Sequence, residues 1–179
     1  TILNLAHNPL ESTRLEGLST LGQLKVLGLR ETGLTDSDLE PIIKLTELVT
    51  LQLSGNPITD QAFRTVGTLR QLTLLHALGT KITLAGSLAT VTRLPALVIT
   101  CPDGQVSGNS ITLNRAVDPE LTNLIGRFRN LKTLQLSDTP LAKNHMIPLL
   151  ELGDLRTLGL HSNELTGTGL SDLQVFTKL

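Results

Sequence analysis

Few side chains in this 179-residue sequence could do chemistry: His7, His76, His145, His161 and a single cysteine, Cys101. Histidines could share a metal ion or act as a general base, and a thiolate could be a nucleophile, if each finds partners within a few ångströms. The layout derived below puts His7 and His161 each three strands from His76. That is roughly 14 Å at ~4.8 Å per strand, too far to share a zinc ion. His145 falls on the opposite side of the layout. Cys101 has no second cysteine and no evident histidine beside it, so it reads as a turn or core residue, the usual place of a small buried thiol. The run Gly167-Thr168-Gly169-Leu170 is too short a signal for a phosphate loop. No catalytic residue, metal site or cofactor is expected.

Charge narrows the partners. Fifteen Lys and Arg against 16 Asp and Glu leave a net charge of −1, which gives no broad field for nucleic acid or an acidic membrane. Arg127, Arg129, Lys132 and Arg156 could form a small basic patch, but aromatic residues are only 2% of the chain and none interleave with it. Such a group reads as a solvated rim, and no nucleic-acid role is expected. No stretch approaches the roughly 20 apolar residues of a membrane span, so no membrane insertion is expected. One cysteine excludes an internal disulfide, and there is no N-x-S/T acceptor. Both point toward a cytoplasmic eukaryotic or a bacterial protein and leave the compartment open.

The elements that position these residues come from an internal repeat. Segments starting at Leu24, Leu48, Leu72, Leu131 and Leu155 share the template LxxLxLxx(N/T)x(L/I)T, and the first three starts keep the same constant spacing as the last two. Leu3, Leu5, Asn8 and Leu10 fit the same frame, and Leu179 falls where another repeat would begin. The expectation is one array over residues 1–179, about seven repeats, cut within a repeat at both ends.

Each half of the template has a physical reading. Leu51 and Leu53 alternate with Thr50, Gln52 and Ser54, the pattern of a short strand with one apolar face. The Asn or Thr that follows (Asn8, Thr32, Asn56, Thr80, Asn109, Thr139, Asn163) can bond backbone groups left open as the chain exits the strand. Leu39, Ile42 and Leu45 recur at spacing three, as in a short helix or 3₁₀ turn, and Asp36 and Asp60 are placed to cap such helices. No repeat can bury its leucines alone, so neighbours must stack. The fold expected is α/β: a right-handed solenoid arc with a parallel strand ladder on its concave face and short helices or 3₁₀ turns on its convex face.

On these motifs the chain resembles the leucine-rich repeat family over nearly its whole length. The Thr-Asp pair in GLTD and PITD is similar to the 24-residue type of many bacterial repeat proteins. It is more distantly similar to the repeats of F-box substrate receptors, with Thr or Asn where those carry cysteine. The resemblance implies a binding scaffold.

The frame breaks between Leu97 and Leu131, a gap too long for one repeat and too short for two. Because VSGNSIT from Val106 matches LSGNPIT from Leu53, the expectation is an irregular repeat over 97–130 whose strand carries Gln105, with surplus residues around Cys101-Pro102-Asp103-Gly104 and after Leu113. Pro102-Asp103-Gly104 is a tight-turn signal that favours a small hairpin or bulged loop.

The outward strand positions are the candidate binding surface. The residues singled out are Arg30, Thr50, Gln52, His76, Gln105, Thr133, Gln135, Asp138, Thr157 and His161, with Gln52, His76, Gln105 and Gln135 as a central row of hydrogen-bonding groups. The expected function is a non-enzymatic scaffold that recognises a protein or other polar partner through its concave face. The alternatives are a structural subunit or spacer within a multi-subunit complex, or an accessory repeat region of a larger enzyme or ubiquitin-ligase receptor.

Overall fold

The period-two leucines form strands three to five residues long, and outside the irregular segment around β6 each strand's neighbour lies about one repeat away. The computed structural model describes residues 1–10, 15–138, 143–163 and 172–179. Strands β1 (Ile2–Asn4), β2 (Val26–Gly28), β3 (Thr50–Gln52), β4 (Leu74–His76) and β5 (Val98–Cys101) pair in parallel, with Leu3, Leu27, Leu51, Leu75 and Ile99 side by side. Each of these partners is one full repeat from the last. The chain then runs through β6 (Gly104–Val106), β7 (Ser110–Leu113), β8 (Thr133–Ser137) and β9 (Thr157–His161). Here β7, β8 and β9 pair in parallel with Ile111, Leu134 and Leu158 side by side.

Two compact units result. One comprises Thr1–Pro102 with Val106–Gly108, the other Asp103–Gln105 with Asn109–Leu179. In both, alternation sends the inner leucines to the core: Leu27, Leu51, Leu53, Leu75 and Ile99 in the first and Ile111, Leu134 and Leu136 in the second are fully buried. Cys101 is buried beside them, one repeat after Ala77.

Helix type behind the strands follows apolar spacing. Leu39, Ile42 and Leu45, three apart and fully buried, are served by a 3₁₀ helix over Asp36–Lys44. After the one-turn α1 (Phe63–Val66), the next repeat buries Leu84, Leu88 and Val91, the three-and-four spacing of an α-helix, and forms α2 (Leu84–Arg93). In the second unit α3 (Pro119–Gly126) and α4 (Lys143–Leu149) pack together. Pro119 opens α3, where its missing N–H costs nothing, and Asp118 caps it by accepting from the Leu121 amide at 2.8 Å.

Two polar ladders tie successive repeats. Buried Asn56 donates from Nδ2 to the Leu29 and Leu53 carbonyls (2.6 and 2.9 Å), and its Oδ1 accepts from the Thr32 and Leu34 amides (3.0 and 3.2 Å). One side chain thus satisfies backbone groups of two repeats. Thr32 and Thr80 bond the Leu29 and Ala77 carbonyls, and Asn163 donates to that of Leu136. The predicted role of Thr139 falls outside the described residues.

The second ladder corrects the expected capping. The caps are the threonines: Thr59 Oγ1 accepts from Gln61 N–H and Thr83 Oγ1 from Gly86 N–H. Asp36 and Asp60, each one residue after an N-cap threonine (Thr35 and Thr59), reach instead to the next repeat. Asp36 accepts from the amide and hydroxyl of Thr59 (2.9 and 2.7 Å), and Asp60 does the same with Thr83 (2.8 and 2.6 Å). A carboxylate that accepts two bonds from a neighbouring cap fixes that helix's start against its own.

The irregular segment also differs from expectation. Ile99 continues the repeat frame, so β5 is the regular strand, and Ile111 takes up the ladder again only half a repeat later. Between them the chain makes β6, joined to β7 by Ser107–Asn109, a link too short for a parallel crossover. The Asn114 amide bonds the Asp103 carbonyl, Arg115 pairs with Asp103 at 3.2 Å, and Gly104 lies so close to the Thr112 carbonyl that a Cβ would collide with it. The turn predicted at Pro102-Asp103-Gly104 is present, but VSGNSIT is not a second copy of the LSGNPIT position. Asn109 sits at the strand entry, exposed, where its carbonyl accepts from Lys132 and Thr133. It is not part of the buried asparagine ladder.

Candidate functional site

The outward faces of the strands carry residues that no packing requirement dictates. In the first unit the register places Ile2, Val26, Thr50, Leu74 and Val98 in one row. The next row is Asn4, Gly28, Gln52, His76 and Thr100. In the second unit the rows are Ser110, Thr133, Thr157 and Thr112, Gln135, Gly159.

Gln105, predicted to follow His76, does not stand there. Thr100 is the neighbour of His76 and Thr112 that of Gln135, because Ile99 and Ile111 hold the parallel register, while β6 is an added strand of the sheet between β5 and β7. Thr100 and Thr112 were legible by arithmetic, since Thr100 is a full repeat beyond His76 and Thr112 falls one position short of a full repeat before Gln135. The local likeness of VSGNSIT to LSGNPIT obscured that spacing.

The central row is tightly set. A Cβ on Gly28 would lie 2.6 Å from Asn4 Oδ1 and 3.3 Å from Gln52 Oε1, so the neighbouring amides roof that backbone. Gln135 covers Gly159 in the same way, with its Cγ 3.2 Å from a would-be Cβ. His76 Nδ1 meets Thr100 Oγ1 at 3.1 Å, which orients the ring within the row. Val26, Thr50, Leu74 and Val98 are half-buried, whereas Leu78, past the end of β4, is 51% exposed.

Where the strands end, one position recurs with positive φ: His7 (62°), Glu31 (51°), Gly55 (72°) and Gly79 (67°), then Asp138 (54°) and Ser162 (56°). At four of these turns the amide bonds across to the next strand's exit: His7 to Arg30, Glu31 to Ser54, Gly55 to Leu78 and Asp138 to His161. The first unit gathers charge there: Glu31 takes Arg30 Nε at 2.9 Å and His7 Nδ1 at 3.1 Å. The Arg30 hydrogen bond, helped by His7, holds the Glu31 carboxyl below its ordinary value. Arg30, a predicted site residue, is therefore engaged with Glu31 at the rim of the face. Asp138 and His161 are exposed at the strand ends of the second unit.

The histidines remain separate. His7 pairs with Glu31 and His76 with Thr100, and no group of three or more His, Cys, Asp or Glu able to hold a metal occurs among the described residues. His145 lies in α4, and the Gly167–Leu170 run is outside the described residues. Of the basic cluster, Arg129 pairs with Glu151 at 2.6 Å. Lys132 and Arg156 lie near Asp154, whose carboxyl is held below its ordinary value chiefly by a hydrogen bond from Lys178. No helix among the described residues is long and apolar enough to cross a membrane.

No protein-family model and no curated protein matches the chain. Among solved structures, an internalin C2 from Listeria monocytogenes is 24% identical, with 99% of this chain and 68% of that one covered and a TM-score of 0.51. The chain has the leucine-rich repeat fold. A second Listeria monocytogenes internalin (24% identity, TM-score 0.44) and a plant peptide hormone receptor in complex with RGF2 (18%, 0.45) are matched over 98% and 100% of this chain. This leucine-rich repeat chain spans 43% of that internalin and 35% of that receptor.

Proposed function

We propose that this chain is a non-enzymatic scaffold that binds a protein partner on the outward face of its strands. The observation that carries the reading is the pair of adjacent rows on the first unit, Val26, Thr50, Leu74 and Val98 beside Gln52, His76 and Thr100. An apolar row next to hydrogen-bonding groups suits a protein surface, whose own side chains and backbone need both kinds of contact. The strand register holds these groups fixed before a partner arrives, which lowers the ordering cost of binding. The second unit has a polar face of its own in Thr112, Thr133, Gln135 and Thr157, with Gln105 exposed on β6, and Arg30, Asp138 and His161 lie at strand ends where they bias the partner's charge. Thr100 adds to the row of Gln52 and His76 on the first unit.

The test is an alanine scan of Gln52, His76 and Gln135 against a partner recovered by affinity capture. The reading expects Gln52→Ala or His76→Ala to weaken binding by roughly tenfold, about 1.4 kcal/mol. Unchanged affinity in all three variants, with melting curves like the parent's, would sink it.

A further inference from the structure

The helix side of each unit carries a groove at the same step of the repeat, and the two are charged differently. In the first unit, Phe63, Arg64 and Arg70 face Ala89 and Arg93 of the next repeat across about 420 Å³. In the second, Asn123 and Arg129 face Pro148 and Glu151 across about 460 Å³. Matching backbone bonds align them: Leu72 N–H to Leu69 and Leu131 N–H to Phe128 on one side, Leu97 N–H to Leu94 and Leu155 N–H to Leu152 on the other. Arg70 and Arg129 each follow the first acceptor residue, and Arg93 and Glu151 each precede the second.

In the second unit this step closes on itself, with Arg129 donating to Glu151 at 2.6 Å. The first unit places Arg93 where Glu151 stands, so Arg70 has a cation across the groove. The groove's one acid, Asp60, has both oxygens engaged by Thr83 at 2.8 and 2.6 Å. Among the described residues Arg64, Arg70 and Arg93 enter no ion pair, and all three are exposed.

We propose that this groove docks a carboxylate-bearing segment of a protein partner, seating an Asp or Glu side chain between Arg70 and Arg93 as Glu151 seats on Arg129. A free small anion between exposed arginines gains little, because water and salt screen it. A segment laid along the groove adds contact with half-buried Phe63 and exposed Ala89, and offers a second acid to Arg64. This docking does not depend on the strand face.

The experiment is fluorescence anisotropy of a labelled peptide of alternating Glu and Leu with the full chain in low-salt buffer. Arg93→Glu rebuilds the closed pair of the second unit and is expected to weaken binding about tenfold or more, and Arg93→Gln by less. Lys25→Glu makes the same charge change elsewhere and is expected to stay within about twofold. Glu151→Arg opens the second groove and is expected to add a further equivalent of bound peptide. Melting curves confirm that each variant is folded. The proposal is overturned by any of four results: no binding to the parent chain, equal losses in Arg93→Glu and Lys25→Glu, no added equivalent in Glu151→Arg, or full displacement of the peptide by an equal concentration of glutarate or inorganic phosphate.

Discussion

On the first unit's strand face Val26, Thr50, Leu74 and Val98 stand in one row, apolar but for Thr50, beside Gln52, His76 and Thr100, whereas the matching rows of the second unit hold Ser110, Thr133 and Thr157 beside Thr112 and Gln135. The inward sides are alike, with Leu51 and Leu53 in one and Leu134 and Leu136 in the other all fully buried. Since the inward leucines do the packing in both, the fold leaves the outward composition free. An apolar row on one face and a hydroxyl-rich row on the other is then a difference in what each can bind, with the first unit the stronger candidate.

The comparison breaks first if inward and outward are misassigned. Leu53→Ala and Leu134→Ala should each cost roughly 2–5 kcal/mol in urea unfolding, through lost burial and the cavity left behind, while Gln52→Ala should cost under about 0.5 kcal/mol. Equal midpoints for Leu53→Ala and Gln52→Ala would undo the strand faces. Next in size is the buried asparagine. Asn56→Ala strips partners from the Leu29 and Leu53 carbonyls and the Thr32 and Leu34 amides, and should cost roughly 2–4 kcal/mol. Asn8, the exposed member of the same series, should cost under about 1 kcal/mol when replaced by alanine. The inter-repeat carboxylates come third: Asp36→Ala and Asp60→Ala should each lower stability by about 1 kcal/mol, seen as a drop in melting temperature.

The smallest effect is electrostatic and occurs once in each unit. Glu31 and Asp154 are held below their ordinary values of 4.5 and 3.8 by Arg30 and by Lys178 respectively. A depressed carboxyl stabilises the fold above its unfolded value, and that contribution is lost as pH falls through the lower folded value. Both groups are exposed, so melting temperature should show only a slight acid-side decline below pH about 4.5, reduced by added salt and absent for the Glu31 part in Glu31→Gln.

The repeat was the most legible feature, because the constant spacing of Leu27, Leu51 and Leu75 is also the ladder register. The spacing of Leu39, Ile42 and Leu45 likewise pointed to a short helix or 3₁₀ turn, and the element there is a 3₁₀ helix. The capping was read one residue off. Thr and Asp are both good caps, and only the fold shows that Thr59 and Thr83 cap while Asp36 and Asp60 bond across repeats. Gln105 and Asn109 were misplaced because a short local likeness outweighed the frame that Ile99 and Ile111 keep. The face residues of β1 to β4 were readable from the repeat and its alternation, whereas Val98 and Thr100 on β5 were not. The charge reversal between Arg93 and Glu151 was not readable either, because it needs the pairing of residues from successive repeats.

The central claim is that the first unit's strand face binds a protein. Calorimetry on a captured partner gives the dissociation constant for the parent chain, for Leu74→Glu on that face and for Ala116→Glu at an exposed position off the strands. A loss of about tenfold or more is expected for Leu74→Glu and less than about twofold for Ala116→Glu. Parent-like affinity in Leu74→Glu, with the fold intact, would contradict it.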